Sequence, residues 1–307
     1  MSLTKINAMT VNESVLKVLV LLAAFNGDEW IEEQIHTILN QKNVELDVLI
    51  SVDQSTDETY QTCTRLAKVY SNIQLLPYGE RFGGAAANFF RLIREANFEK
   101  YDYIALADQD DSWLSDKLSD SIKVINQQGV DAFSSNVTAF WPSGKQVLVK
   151  KSFRQKQFDY FFEAAGPGCT YVLKTAVMND FKTFMRRHEA IFKRLQLHDW
   201  TLYAFVRSHG YAWHIDEAPT MMYRQHASNQ VGFNYGVKAI LSRLRMIRDD
   251  WYAEQIQLYF LLFGKNVPNF KTNRLFLLKH FFQLRRRPRD ACFLLVMLLF
   301  GLLKLEK

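Results

Sequence analysis

Tyr103-Ile104-Ala105-Leu106-Ala107-Asp108-Gln109-Asp110-Asp111 sets three carboxylates in four positions straight after an apolar run. Like charges that close repel one another, and a divalent cation is the usual relief. Hard oxygen ligands at the exit of a buried strand suit Mg²⁺ or Mn²⁺ holding a diphosphate. An acidic turn capping the next helix is the other reading, because Asp and Ser cap helices well.

Working outward, the apolar run is the fourth of a series. Val15 to Phe25 is continuously apolar and ends at Asn26-Gly27, as expected of a strand buried on both faces. Lys17 lies inside it and no basic leader precedes it, so it reads as a first strand rather than a signal peptide. Asp28 to Gln41 carries Trp30, Ile31, Ile35, Ile38 and Leu39 at helical spacing. Leu46 to Val52 is a second strand ending at Asp53, and Ser55-Thr56-Asp57-Glu58 has the spacing of a capping box. Ile73 to Leu76 is a third strand. Gly83-Gly84 precedes a helix bearing Phe89, Phe90, Leu92 and Ile93. Strands alternating with helices predict an α/β fold, a mostly parallel sheet flanked by helices. Ligands of such sheets bind outside the carboxyl ends of the strands, where Asn26, Asp53 and Asp108–Asp111 fall. Neither GxGxxG nor GxxxxGK[ST] occurs, which disfavours a dinucleotide site and a P-loop.

Downstream, a helix is expected after Trp113, running to about Gln127, and one strand from Asp131 to Phe140. Trp141-Pro142-Ser143-Gly144 turns the chain into a hairpin with Gln146 to Lys150. Gly166-Pro167-Gly168 leads into another strand, Phe181 to Leu197 is irregular or helical, Asp199 to His209 is a helix, and Tyr211 to Ile215 is a strand. Asp199 reads either as a helix N-cap or as a general base that takes a proton from a hydroxyl. In Tyr223-Arg224-Gln225-His226, Arg224 could grip phosphate and His226 could ligate a metal or contact phosphate. A pair of solvated polar residues is the plainer alternative. Asn229 and Gln230 could contact a sugar. His188, His209, His214 and His280 have no evident partner and read as structural. No GxSxG or Ser/His/Asp order supports a hydrolase.

The 307 residues can hold one large domain with an appendage, and 48% hydrophobic content is ample for its core. A formal charge of +6 suits an anionic partner: nucleotide, nucleic acid or anionic lipid. Three well-separated cysteines, Cys63, Cys169 and Cys292, form no zinc pattern and fit a reducing cytoplasm.

In chain order, Val18 to Asn26, Glu33 to Gln41, Val52-Asp53-Gln54-Ser55-Thr56-Asp57-Glu58-Thr59 and Ala107-Asp108-Gln109-Asp110-Asp111-Ser112-Trp113 resemble GT-A glycosyltransferases of family 2. The resemblance covers roughly residues 15 to 232 and looks most like bacterial rhamnosyltransferases of cell-wall or O-antigen polysaccharide. It implies a GT-A domain over 1–232 and a helical C-terminal extension over 233–307. It implies that Asp53 meets the pyrimidine base, that Ala23 and Phe25 line the nucleotide cleft, and that Gly84 and Asn88 lie by the donor. Asp108 would face the ribose, Asp110 the metal, and Asp199 would be the catalytic base. His226 falls where relatives offer a second metal or diphosphate ligand. Val52, Gln54 and His198 depart from the usual Asp-Asp-Gly-Ser and Glu-Asp elements, and the first two bear on nucleotide preference.

The activity implied is inverting, Mn²⁺- or Mg²⁺-dependent transfer of L-rhamnose from dTDP-β-L-rhamnose to a polyprenyl-linked saccharide. UDP-hexose donors and a nucleotidyltransferase are the alternatives. The latter should show a Gly-rich basic first loop, which Ala23-Ala24-Phe25-Asn26-Gly27 is not. A non-catalytic subunit is disfavoured by the intact Asp108, Asp110 and Asp199. Nucleic acid is not an expected partner.

Beyond Phe233, Arg243, Arg245 and Arg248 interleave with apolar residues, and Arg285-Arg286-Arg287-Pro288-Arg289 precedes the apolar run Ala291 to Leu303. A spanning helix needs about 20 residues, so this run is too short to cross. It suits an anchor lying on anionic lipid at the inner face of the plasma membrane. A helix packed on the domain, or on a second copy in a homodimer, is the alternative.

Overall fold

The computed structural model describes residues 15–226, 250–303 and 305. In chain order the elements are β1 (Lys17–Ala24), α1 (Ile31–Leu39), β2 (Glu45–Val52), α2 (Thr59–Val69), β3 (Ile73–Leu75), α3 (Ala85–Glu95), β4 (Tyr103–Asp108), β5 (Ser112–Trp113) and α4 (Lys117–Gln128). Then follow β6 (Ala132–Ser135), β7 (Val137–Phe140), β8 (Gln146–Val149), β9 (Val172–Lys174), α5 (Thr175–Arg187), α6 (Glu189–Phe192), α7 (His198–Ser208), β10 (Trp213–Asp216) and β11 (Met221–Arg224). The C-terminal helices are α8 (Trp251–Phe263), α9 (Arg274–Lys279) and α10 (Pro288–Leu299).

β1 is the hub of the main sheet, whose order is β10-β6-β9-β4-β1-β2-β3. It pairs in parallel with β2 and β4, and β9 runs antiparallel to β4 and β6. Alternation along β1 explains its unbroken apolarity. Leu19, Leu21 and Ala23 pack with Phe89, Leu92 and Ile93 of α3, while Val18, Val20, Leu22 and Ala24 pack with Ile31, Ile35 and Ile38 of α1. Each fully buried side chain of this size contributes roughly 1.5–3 kcal/mol.

Two local expectations change. The segment Asp131 to Phe140 is two strands in two sheets, because Asn136 turns the chain between them. Its Oδ1 accepts from the Lys151 and Ser152 amides at 2.6 and 3.0 Å, and its Nδ2 donates to the Glu217 carbonyl at 2.7 Å. β7 joins a second sheet, β5-β11-β7-β8. The capping box does not form. The Ser55 hydroxyl is taken by the Asp53 carbonyl and the Asn26 amide, α2 starts only at Thr59, and Asp57 Oδ1 accepts from the Thr59 amide at 3.1 Å.

The proposed boundary at 232/233 and Arg243, Arg245, Arg248, Asn229 and Gln230 lie outside the described residues. The described C-terminal helices share the main core. Ile256, Tyr259 and Phe263 of α8 and Leu294, Met297 and Leu298 of α10 join the cluster that holds Tyr203 and Phe205. Aromatic pairs mount them, with Phe161 and Phe270 stacked at 4.2 Å and Trp200 and Tyr259 at 4.5 Å. Assigning the whole Arg285–Arg289 run to lipid needs correction. Arg286 is buried and lies 3.6 Å from both Asp159 and Glu163, and Arg285 sits 3.8 Å from Glu163 and from Asp290. Asp159 is itself fully buried, and a buried carboxylate needs such counterions. Of the four arginines in the run, Arg289 alone is strongly exposed. No helix among the described residues is long and apolar enough to cross a membrane.

Candidate active site

Parallel register brings the carboxyl ends of β1, β2 and β4 level: Ala23 pairs with both Ser51 and Asp108. Asp53 and Asp108 therefore flank the end of β1, two strand spacings or about 10 Å apart. Ala23 forms the floor between them and Phe25 is exposed above it. Gln109 locks that edge. Its Oε1 accepts from the Phe25 amide at 2.6 Å and its Nε2 donates to the Phe25 carbonyl at 2.7 Å. Gly27 leaves room for this side chain, since a Cβ there would lie 2.3 Å from its amide end. Asp53 is buried. Its Oδ1 accepts from the Gln54 and Phe82 amides and its Oδ2 from Gly83, which pins the loop before Gly84 over the cleft. Gly84 opens α3, and Asn88 one turn later donates to the Ala24 and Ser51 carbonyls. Its Oδ1 is buried with no hydrogen-bond partner.

The Asp108–Asp111 cluster divides by depth. Asp111 is buried and accepts from the Arg224 amide at 3.3 Å, so it ties the acidic loop to β11. Asp110 is half-buried and its Oδ2 meets His226 Nε2 at 2.7 Å. The His226 ring stacks on Trp30 at 3.9 Å. Arg224 braces the same loop. Its Nε donates to the Asp110 carbonyl at 3.0 Å, its Nη2 lies 2.7 Å from Glu33, and its guanidinium covers Phe140. Gln34, fully buried, donates to the Asp108 carbonyl. Behind the cluster, Lys117 is buried with its Nζ 3.5 Å over the Trp113 ring and donating to the Cys169 carbonyl at 2.7 Å.

The electrostatics favour a cation. Burial, then Asp110 and Asp199, push Asp108 up to about 7. Burial, then Asp110 and Asp108, hold Asp111 well above the usual carboxylate range. Ligand atoms of Asp108, Asp111 and Cys169 lie within 4.8 Å of one another. The thiol is a poor candidate: burial, Asp111 and Asp108 drive it far above its ordinary value, so it stays protonated. Hard Mg²⁺ or Mn²⁺ would instead take the carboxylate oxygens of Asp110 and Asp108, with His226 beside them.

Asp199 occupies the first turn of α7, and its Oδ1 accepts from the Trp200 amide at 2.7 Å. The residue before α7 makes no side-chain cap. Burial pushes Asp199 up to about 6, opposed by the Trp200 amide and by the Lys151 charge. Its neighbour His198 is buried and stacks on Phe89 at 3.9 Å. Burial pushes the His198 imidazole down to about 3, so the ring is neutral. Gly168 makes room for both: a Cβ there would lie 2.4 Å from His198 Nε2 and 3.2 Å from Asp199 Cβ.

Asp53, Asp108 and Asp110 thus gather at one end of the sheet with His226, and Asp199 adds to the rise of Asp108. Sequence reasoning missed Gln34, Gln109, Trp30, Lys117 and Gly168. A buried-face polar residue in α1 was the available signal for Gln34. The others act through tertiary contacts that no local pattern encodes.

The family model of glycosyl transferase family 2 matches residues 19–192. RfbG of Shigella flexneri, a dTDP-rhamnosyl transferase, is 42% identical over 288 residues, covering 92% of this chain and 100% of the relative. Among solved structures, S. aureus TarS 1–349 in complex with UDP matches with a TM-score of 0.55 and 15% identity, covering 87% of this chain and 72% of that one. A mannosyltransferase of Pyrobaculum calidifontis in complex with GDP-Man and Mn²⁺ matches at 0.50 and 18%, covering 83% and 65%. At those identities the two structures show the shared GT-A fold. The family match spans more than half of the chain and the Shigella relative almost all of it. The nucleotidyltransferase alternative is thereby set aside, and the chain belongs to glycosyl transferase family 2 as a glycosyltransferase of GT-A architecture.

Proposed function

We propose that this glycosyltransferase moves L-rhamnose, with inversion, from dTDP-β-L-rhamnose to a hydroxyl of a polyprenyl-linked saccharide in bacterial surface polysaccharide synthesis. The observation that supports the chemistry is the gathering of the Asp108–Asp111 carboxylates at one strand end, with His226 on Asp110, beside a further raised carboxylate, Asp199. The donor identity leans on 42% identity to a dTDP-rhamnosyl transferase along 92% of the chain. UDP-hexose is the second donor.

Asp53 and the loop it pins would hold the pyrimidine, with Ala23 and Phe25 as the floor and lip of the nucleotide cleft. Gly84 and Asn88 shape its side. Asp108 faces the ribose. A divalent cation held by Asp110 and His226 would supply charge neutralisation of the departing diphosphate. Asp199 accepts the acceptor hydroxyl's proton as the oxygen attacks the anomeric carbon opposite the leaving diphosphate. One C–O bond forms as the other breaks, through an oxocarbenium-like state, giving an α-L-rhamnoside.

The protein would work at the inner membrane face. Phe293, Val296 and Leu299 of α10 and Phe300 just after it are 45–75% exposed, with Arg289 nearby. This apolar face is offered to lipid, and a second copy of the chain is the competing occupant.

The test is a donor screen of dTDP and UDP sugars with and without Mn²⁺, followed by transfer to a synthetic lipid-linked saccharide with the linkage read by NMR. dTDP-rhamnose turnover should need metal. Asp110→Ala should lose metal-supported dTDP binding, and Asp199→Asn should keep binding while transfer falls by about 10²-fold or more. Near-normal turnover by Asp199→Asn would place the base elsewhere.

A further inference from the structure

Basic residues from two distant segments meet beside Asp199. Lys151 follows β8, and its amide is fixed by Asn136. Its Cβ and Cγ lie 3.5 Å from where a Cβ on Gly166 would stand, so its stem runs along the Gly166-Pro167-Gly168 loop. The other end of that loop packs on His198 and Asp199. Arg287 arrives from the C-terminal region, donates to the Lys150 carbonyl, and holds its guanidinium 4.6 Å over the Phe153 ring.

Among the described residues, the charges around these two cations do not balance. Arg285 and Arg286 are matched by Asp159, Glu163 and Asp290. Among the described residues, no carboxylate lies within 4.0 Å of Lys151 Nζ or of the Arg287 guanidinium, although both side chains are half-buried. Burial, then Arg287 and Arg286, push the Lys151 ammonium down to about 8, with Glu163 and Asp199 opposing. Two half-buried cations held together without a counterion are costly unless an anion comes to them. The loop that carries the Lys151 stem at Gly166 packs on Asp199 at Gly168, which puts the anion on the Asp199 side. A neutral acceptor hydroxyl would have no use for such a pair.

We propose that Lys151 and Arg287 form an anion subsite on the acceptor side of Asp199, which binds a phosphoryl group carried by the acceptor. The assignment rests on Asp199 being the base. Arg287 offers a planar fork and Lys151 a point charge, a combination suited to phosphate oxygens. The phosphoryl group comes either from a lipid diphosphate or from a phosphorylated sugar.

The full-length protein is first saturated with dTDP and Mn²⁺, which occupies the donor's own diphosphate position, and is then titrated with octyl diphosphate by calorimetry. Binding is expected, with Lys151→Gln and Arg287→Gln each weakening it about tenfold or more and Lys151→Arg restoring most of it. Lys145→Gln, whose side chain lies over Trp141, should leave it unchanged. Glucose 6-phosphate in the same titration separates the sources. Tighter octyl diphosphate assigns a lipid diphosphate, and tighter glucose 6-phosphate a phosphorylated saccharide. Loss of the octyl diphosphate signal on dTDP saturation, or equal affinity in Lys151→Gln and Arg287→Gln, overturns the subsite. Absence of dTDP binding in the first step would instead refute the proposed donor chemistry, and the same titration on the free protein then decides the subsite alone.

Discussion

Replacing Gly168 by Ala tests how the fold aims Asp199. The added Cβ would lie 2.4 Å from His198 Nε2, and ordinary contact begins near 3.4 Å. The ring must retreat by about 1 Å, the scale of misplacement that costs an enzyme about 10²-fold. It has nowhere to go, since it is only 7% exposed and is clamped on Phe89 at 3.9 Å. The first turn of α7 must move instead, and Asp199, the next residue, moves with it. Expected results are a kcat lower by roughly 10²-fold and a stability loss of about 1–3 kcal/mol from overpacking. Binding of dTDP and Mn²⁺ should hardly change, because Asp53, Asp110 and His226 lie on other elements. Gly166→Ala is the internal control: its Cβ would meet Lys151 and the Ser135 carbonyl at ordinary distances of 3.5–3.6 Å. Adding His198→Ala to Gly168→Ala should recover part of the stability loss by removing the clashing ring. The measurements are kcat and KM for transfer, calorimetric dTDP affinity and urea unfolding. A Gly168→Ala enzyme with wild-type kcat, or an equal loss in Gly166→Ala, would refute the steric account.

Other outcomes follow from the charges and the surface. Asp199 acts as a carboxylate and is pushed up to about 6, so kcat should rise with pH through that value and fall to about one-tenth at pH 5; a profile flat down to pH 4.5 would exclude it as the base. Phe293→Ser with Phe300→Ser removes two exposed rings on and just after α10, each worth roughly 1.5–3 kcal/mol if buried in lipid, so sedimentation with anionic vesicles should drop at least tenfold. Unchanged sedimentation, with a halved mass by light scattering, would assign that face to a second copy. Deleting Arg285 onward is a poorer test, because it also strips Asp159 and Glu163 of their counterions.

The alternating strands and helices were legible because they depend on local patterns. β1 is apolar along its length for the reason inferred, burial on both faces. Local rules misled where a residue had a better distant partner. Ser55 left its cap for Asp53 and Asn26, and Asn136 split one expected strand between two sheets. Arg286 illustrates the same limit from the surface side. Its basic neighbours suggested lipid, but a buried Asp159 claims it.

The ordered acidic motifs, the positions of Asp53, Asp108, Asp110 and Asp199, and the α/β grammar are properties of the chain itself, since strand period and motif spacing are short-range. Only folding sets His226 against Asp110 across 116 residues, Gln109 on the Phe25 peptide, and Gly168 beneath His198. Those contacts join segments far apart in the chain, and their pairing depends on strand register and side-chain volume. Nothing in a local window encodes either one.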